Sequence, residues 1–274
     1  MLGLSAGNPD GSAEILLKVA LHAAEDEGAQ VSLLRLDDLT LPTRPVGPVA
    51  AATEDDGAWL WDQVMESDGL IVSAPIYSRT IPGKLKLVAD RLSGPAADVV
   101  FAENYRSMLQ AGETPPVAFP YDERVFRPRV AGLIAVGGAG MPRAVVLDAA
   151  ALVNAARVGR SVGSQLGRPF EQVGYRGEPG LCPLCHLSAV EIHGTAVECV
   201  TCGAAGRLSV ADGQAVVAFD DPAGLEKSVI GLTEKREHFV EVQETGQIQG
   251  ALAAEIERRA SVYAQYERRI TPGS

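Results

Sequence analysis

Short continuous apolar runs alternate along this chain with stretches in which apolar residues return every three or four positions. The runs are Leu2-Gly3-Leu4, Val31 to Leu36, Leu70-Ile71-Val72 and Val130 to Val136. Runs of this kind form strands buried on both faces. Between them, Ile15, Leu16, Val19, Ala20 and Ala23 trace one helix face that closes near Gly28. Gly57 to Ser67 predicts a second helix, with Trp59, Leu60, Val64 and Met65 on its buried side and both tryptophans read as packing residues. After the Pro82-Gly83 punctuation, Ile81, Leu85, Val88 and Leu92 predict a third. Met141 to Arg157 predicts a fourth, and Phe170 to Tyr175, after Pro169, reads as a fifth strand. Strand–helix alternation predicts a parallel sheet with helices on both faces, and such sheets bind ligands beyond the carboxyl ends of their strands.

Two regions break the rhythm. Residues 93–129 hold Pro95, Pro115, Pro116, Pro120 and Pro128 around one helical patch near Asn104 to Ala111. A connection this long usually has a job; Tyr105, Phe119, Tyr121 and Phe126 suit either a pocket wall or a subunit interface. After Asp220-Asp221-Pro222 the pattern turns helical, with Ile248, Leu252, Ile256, Ala260, Tyr263, Tyr266 and Ile270 forming a stripe that closes over the sheet or meets a second subunit.

The formal net charge is −11, which repels phosphate backbones and anionic membranes, so no nucleic acid and no membrane partner is expected. Met1-Leu2-Gly3-Leu4 enters a Gly/Asn/Pro turn without a basic segment, and the longest weakly polar run, Val130 to Met141, is cut by glycines. Neither a signal peptide nor a membrane span is expected, and the chain reads as cytoplasmic.

Three loops follow sheet strands. The first, Ser5-Ala6-Gly7-Asn8-Pro9-Asp10-Gly11-Ser12-Ala13, enters a helix, where free N–H groups and the positive dipole end suit a phosphate. The same geometry also serves as an ordinary turn and helix cap. The second is Ala74-Pro75-Ile76-Tyr77-Ser78, followed by Gly83-Lys84-Leu85-Lys86 and Asp90-Arg91; the third is Gly137-Gly138-Ala139-Gly140. Residues 1–175 resemble the NADPH-dependent FMN reductase branch of the flavodoxin-like flavoproteins. That family carries a Ser-Pro-x-Tyr loop before a Gly-x-Leu-Lys helix ending in Asp-Arg. Ala74 replaces its first Ser and Ser78 its usual Asn. The first loop departs further: Gly7-Asn8 replaces Ser-Pro, and Pro9 replaces an Arg, removing a cation for which Arg79 is a substitute. The resemblance implies a five-stranded flavodoxin-like sheet. It implies FMN phosphate held by Ser5, Gly7, Asn8, Gly11, Ser12 and Ala13, and the flavin ring touched by Pro75, Ile76, Tyr77, Ser78, Gly137, Gly138 and Ala139. It also implies NAD(P)H as reductant. Flavin chemistry belongs to the cofactor, so no general acid or base is assigned.

All four cysteines fall in two Cys-x-x-Cys knuckles, Cys182/Cys185 and Cys199/Cys202. Two knuckles complete a tetrahedron, and Zn²⁺ takes four thiolates in closed structural sites. A rubredoxin-like iron site and free or disulfide-bonded cysteines are the alternatives. Predicted hairpins turning at His193-Gly194 and Asp212-Gly213 make the surrounding layout a zinc ribbon. Residues 180–218 carry one Arg and no Lys against Glu191, Glu198 and Asp212, so a clip or protein-contact role is expected there over nucleic-acid binding.

The expected organisation is therefore a flavodoxin-like FMN-binding domain at 1–178, a zinc ribbon at 179–219 and a C-terminal helical extension at 220–274. The expected activity is an FMN-dependent NAD(P)H oxidoreductase, a homodimer or homotetramer, passing electrons to a small organic or quinone-like acceptor. The alternatives are a flavin-dependent tailoring enzyme on a specific metabolite and a non-enzymatic electron carrier that docks a partner through the ribbon.

Overall fold

The computed structural model describes residues 1–43, 55–77, 80–93, 97–114, 121–137, 143–169, 172–174, 176–177 and 180–264. They form two compact units, Met1–Gly177 and Glu178–Ser274.

In the first unit, β1 (Leu2–Ser5), β2 (Ser32–Arg35), β3 (Gly69–Pro75) and β4 (Val130–Val136) form a parallel sheet in the order β2-β1-β3-β4. Leu4 pairs with Leu34 on one side and Val72 on the other, and Val72 pairs with Leu133. One face is covered by α1 (Ser12–Glu25) and α5 (Ala149–Gly163). Leu16, Leu17 and Leu21 of α1 meet Ile71, Ile134 and Val162 there. The other face carries α2 (Gly57–Glu66) and α3 (Gly83–Leu92), where Leu4, Leu36, Leu60 and Val88 are buried together. Helices on both faces of a parallel sheet make this flavodoxin-like. Among the described residues, no helix is long and apolar enough to cross a membrane.

The expectation of five strands is corrected to four. Of the segment read as the fifth, Phe170, Glu171 and Tyr175 lie outside the described residues, and Gln172, Val173 and Gly174 are not in a strand. The buried Gln165 side chain supplies the reason. Its amide nitrogen donates to Gly174 O and its Oε1 accepts from Gly174 N at 3.2 Å. One carboxamide satisfies both backbone groups that a strand partner would otherwise take.

Two helical expectations also shift. Met141 and Pro142 lie outside the described residues; a 3₁₀ turn spans Ala144–Leu147, and α5 starts at Ala149 because Asp148 caps it, its Oδ1 accepting from Ala151 N at 3.0 Å. Trp59 is not buried: it is 47% exposed, while Leu60 and Met65 turn inward. Trp61 donates its indole N–H to Asp122 at 2.9 Å.

Of the long connection, residues 93, 97–114 and 121–129 are described. It contains α4 (Val99–Gln110), capped by Asp98. Arg129 donates to the carbonyls of Met65, Ser67, Arg124 and Arg127, sewing the approach to β4 onto the end of α2. Tyr121 packs edge-on against both Tyr105 and Phe126, and Arg106 lies 3.9 Å over the Phe126 ring. These three aromatics pack on one another; Phe119 lies outside the described residues.

The second unit begins with the antiparallel sheet β5 (Val190–His193), β6 (Ala196–Cys199), β7 (Ala205–Ala211) and β8 (Gln214–Ala218). The β7–β8 turn places Asp212 and Gly213 at φ 51° and 76°, the left-handed pair that a two-residue hairpin demands. Helices α6 (Pro222–Glu226), α7 (Leu232–Ala251) and α8 (Ala253–Ala264) follow. Phe239 is the one buried side chain of α7, and the stripe residues Ile248, Leu252, Ile256 and Tyr263 are exposed; Tyr266 and Ile270 lie outside the described residues.

Helices α1 and α5 touch at their backbones. Ala20 and Ala24 are fully buried, and a Cβ on Gly159 would overlap the Ala20 carbonyl. Gly159→Ala is therefore expected to destabilise the first unit by about 2 kcal/mol or more, because the obstruction is backbone and cannot turn aside. Urea unfolding followed by helical circular dichroism checks this; an unchanged midpoint contradicts the close contact.

Candidate functional site

The carboxyl ends of β1, β3 and β4 open side by side. Gly7 lies so near the next loop that a Cβ there would be 2.9 Å from Ala13 Cβ and 3.5 Å from Pro75 Cδ. Ile76 N donates to Val136 O at 2.8 Å, and a Cβ on Gly137 would meet Ile76 Cβ at 3.8 Å. The structure thus brings Gly7, Ala13, Pro75, Ile76 and Gly137 to one edge of the sheet. Tyr77 and Thr80 exchange both backbone hydrogen bonds at 3.0 Å, which closes the second loop and leaves Tyr77 more than half exposed. Ser78, Arg79, Gly138 and Ala139 lie outside the described residues.

The first loop is shaped as an anion cradle. Gly11 caps α1 in extended geometry with no side-chain hydrogen bond, so the amides of Ser12, Ala13 and Glu14 begin the helix without intrahelical partners. Asn8 is exposed, and its carbonyl accepts from Gly11 N at 2.9 Å, folding the loop back on itself. Asp10 sits in the left-handed region at φ 54°. Ser5 Oγ and Ser12 Oγ are buried hydroxyls with no hydrogen-bond partner. A buried polar atom without a partner costs about 1–3 kcal/mol, and a phosphate in the loop would bring acceptors of the kind these hydroxyls lack. The donor set fits an FMN phosphate.

Four residues that shape this cradle, Ser73, Glu14, Arg35 and Lys18, carry no local pattern that marks them for the part they play. Ser73, fully buried in β3, donates its hydroxyl to Ala13 O at 2.7 Å and ties the first turn of α1 to the sheet. A hydroxyl inside an apolar strand signals only that it must find an acceptor. Glu14, also fully buried, accepts from Arg35 Nε at 2.7 Å and Nη2 at 2.8 Å and lies 2.6 Å from Lys18 Nζ. Lys18 reaches Asp10 as well, at 3.0 Å. The Arg35 hydrogen bonds, opposed by desolvation and helped by Lys18, hold the Glu14 carboxyl down at about 2. The Glu14 carboxylate in turn raises Arg35 and Lys18. Arg35 and Lys18 are thus matched by Glu14 and Asp10.

In the second unit the four cysteine sulfurs lie within 4.8 Å of one another, with Cys182, Cys199 and Cys202 buried and Cys185 half-buried. Two like turns set this up. In each, the residue after the second cysteine is left-handed, His186 at φ 62° and Gly203 at φ 72°. Each donates its N–H to the first cysteine's carbonyl, at 2.9 and 2.8 Å. Burial raises the Cys182 thiol and pushes Cys185 up to about 12; against the same desolvation, the amides of Thr201 and Cys202 draw Cys199 down to about 7. Tetrahedral Zn–S bonds of about 2.3 Å fit sulfurs spaced this way.

The parallel sheet in the order β2-β1-β3-β4, with helices on both faces and loops gathered at its carboxyl edge, defines the fold class. The chain belongs to the NADPH-dependent FMN reductase family, whose pattern matches residues 1–165. It is 32% identical over 299 residues to the flavone synthase cfoJ of Aspergillus candidus, an alignment covering 91% of this chain and 90% of that one. The solved structure of a flavone reductase superposes with a TM-score of 0.73 at 23% identity, over 99% of both chains. The chain is a flavin oxidoreductase by family, and the second of these likenesses extends the shared fold through the cysteine-bearing unit.

The buried Glu14 pair predicts an acid-sensitive fold. Its folded carboxyl lies below the ordinary value of 4.5, so its contribution is complete above that value and is lost as pH falls toward about 2. The upper bound is on the order of 3 kcal/mol, reduced because Arg35 and Lys18 stay partly hydrated. Glu14→Gln is expected to flatten the decline in melting temperature between about pH 5 and pH 2; an unaltered slope assigns that acid sensitivity elsewhere.

Proposed function

We propose that this protein is an FMN-dependent NAD(P)H oxidoreductase whose acceptor or substrate is a flavone or its reduced counterpart. When bound, FMN supplies hydride exchange between reduced nicotinamide and an organic acceptor. The observation that carries the cofactor assignment is the pair of buried, partnerless hydroxyls, Ser5 Oγ and Ser12 Oγ, at the open start of α1. In this reading Ser5, Ser12 and the amides of Ser12 to Glu14 hold the phosphate, while Gly7, Asn8 and Gly11 give the loop its shape. Pro75, Ile76, Tyr77 and Gly137 border the ring. Tyr77 offers an exposed aromatic face to a flat substrate. The names of the two full-length relatives support the substrate class, one making a flavone and one reducing it.

The 32%-identical relative favours a second direction, in which the chain tailors a metabolite by oxidising it to a flavone. Anaerobic NADPH or NADH, added to the FMN-loaded protein, separates the two. Bleaching of the flavin band, and its recovery on adding a flavone, is expected for the reductase. A flavin inert to both nicotinamides but bleached by the reduced flavonoid reverses the direction, and a flavin inert to all of them defeats both. Ser12→Ala is expected to weaken FMN binding by about tenfold, the loss of one charge-assisted hydrogen bond.

We also propose Zn²⁺ in the four-cysteine site, a homodimer supported by the exposed Leu133, Val146 and Leu147 of the first unit, and a cytoplasmic location. One zinc per chain is expected by metal analysis, with the second unit losing cooperative unfolding on chelation. Iron in its place, or none with two disulfides, contradicts the zinc assignment.

A further inference from the structure

A cavity of about 390 Å³ lies against β2, beside the cradle but distinct from it. Its size falls within the roughly 300–1,000 Å³ of small-molecule sites. β2 is the edge of the sheet. Ser32 N donates to Met1 O at 3.0 Å, so by the two-residue alternation Leu33 and Arg35 turn their backbone N–H and C=O away from β1, toward the free edge. Adjacent donor and acceptor groups of this kind match the N1 and N6 edge of adenine.

The walls add a stacking surface and two kinds of polar group. Trp59, the exposed tryptophan of α2, faces the cavity together with Leu33 and Leu39. Exposed indole beside aliphatic side chains is a platform for a flat aromatic ring. Asp38 and Asp56 bring carboxylates, which accept from ribose hydroxyls; Asp56 already accepts from Thr40 N through Oδ2. Arg35 joins this cavity to the phosphate cradle. Its Nε and Nη2 are fixed on Glu14, in the first turn of α1, and Nη2 also lies 3.8 Å from Asp10, which leaves Nη1 without a hydrogen bond among the described residues. A guanidinium held by one edge presents the other in a set direction, which suits a phosphate.

We propose that this edge cavity binds an adenosine 5′-phosphate moiety, with adenine on Trp59, ribose at the carboxylates and phosphate at Arg35. Two molecules carry that group into a flavin site: the nicotinamide dinucleotide and FAD. Roughly 10 Å of sheet separates β2 from β3, a span that a dinucleotide bridges. The inference rests on the flavin-oxidoreductase reading given above, and it names where the adenosine half of the redox nucleotide goes.

The test uses the full FMN-loaded chain and AMP alone, titrated by calorimetry. Wild type is expected to bind AMP. Trp59→Ala is expected to weaken AMP by about tenfold or more, the loss of one base-stacking surface, and Trp59→Phe to restore most of it. Thermal melting controls for folding, which the half-exposed position should leave intact. Competition then names the source. Displacement of AMP by reduced nicotinamide dinucleotide assigns the cavity to the reductant. FAD binding the flavin-stripped chain about tenfold tighter than FMN, with that advantage gone in Trp59→Ala, assigns it to the flavin cofactor. AMP that fails to bind, or binds equally to wild type and Trp59→Ala, overturns the proposal. Loss of FMN from wild type would instead count against the earlier reading, and AMP binding to the same chain still decides the cavity.

Discussion

One buried hydrogen bond, from Ser73 Oγ to Ala13 O, decides where the open end of α1 sits. A helix N-terminus attracts an anion only if its amides are held still and aimed. Ser73 holds the first turn down onto β3, Gly159 lets α5 press on the middle of the same helix, and Gly7 fits between Ala13 and Pro75 with no space for a side chain. Pinned at these points, α1 offers three amides and the Ser12 hydroxyl at a fixed place over the end of β1. The loops after β3 and β4 then complete one edge, because Ile76 N already bonds Val136 O.

The charges around that edge follow a different logic from simple attraction. Arg35 and Lys18 could have served as free cations for a phosphate. Instead Glu14 and Asp10 neutralise them, and Glu14 does so from a fully buried position. Burying an unpaired carboxylate would be costly, and breaking such a pair by deleting one partner strands the other. The network therefore orders the base of the loop, and the donors it leaves open within the loop itself are the amides and hydroxyls at the start of α1.

The sheet was largely legible because buried parallel strands write themselves as apolar runs; β4 occupies Val130–Val136 as expected. The knuckles and the Asp212-Gly213 turn were legible because cysteine spacing and an Asp-Gly pair act over a few residues; the first hairpin turns one residue later than its His193-Gly194 pair suggests, at Gly194-Thr195, because His193 still pairs with Ala196 in the sheet. What could not be read depends on partners far apart in the chain. Arg35 and Glu14 stand 21 residues apart, and Ser73 and Ala13 stand 60 apart. Gln165 imitates a strand neighbour for Gly174, which no local pattern reveals. Trp59 was assigned inward by helical spacing, yet Leu60 beside it takes the core position, and a helix cannot bury both neighbours on one narrow face.

The cysteine unit has its own economy. Its sheet is small and largely exposed, and its one tight cluster gathers Cys182, Cys199, Cys202 and Ala204 with Leu184, Phe219 and Leu225 around the sulfurs. A cluster of that size cannot by itself offset the ordering of its strands and turns. The two matched knuckles, each closed by a left-handed residue whose amide bonds back to the first cysteine, place four sulfurs before any ion is considered. An ion that joins them turns two local turns into one crosslinked core.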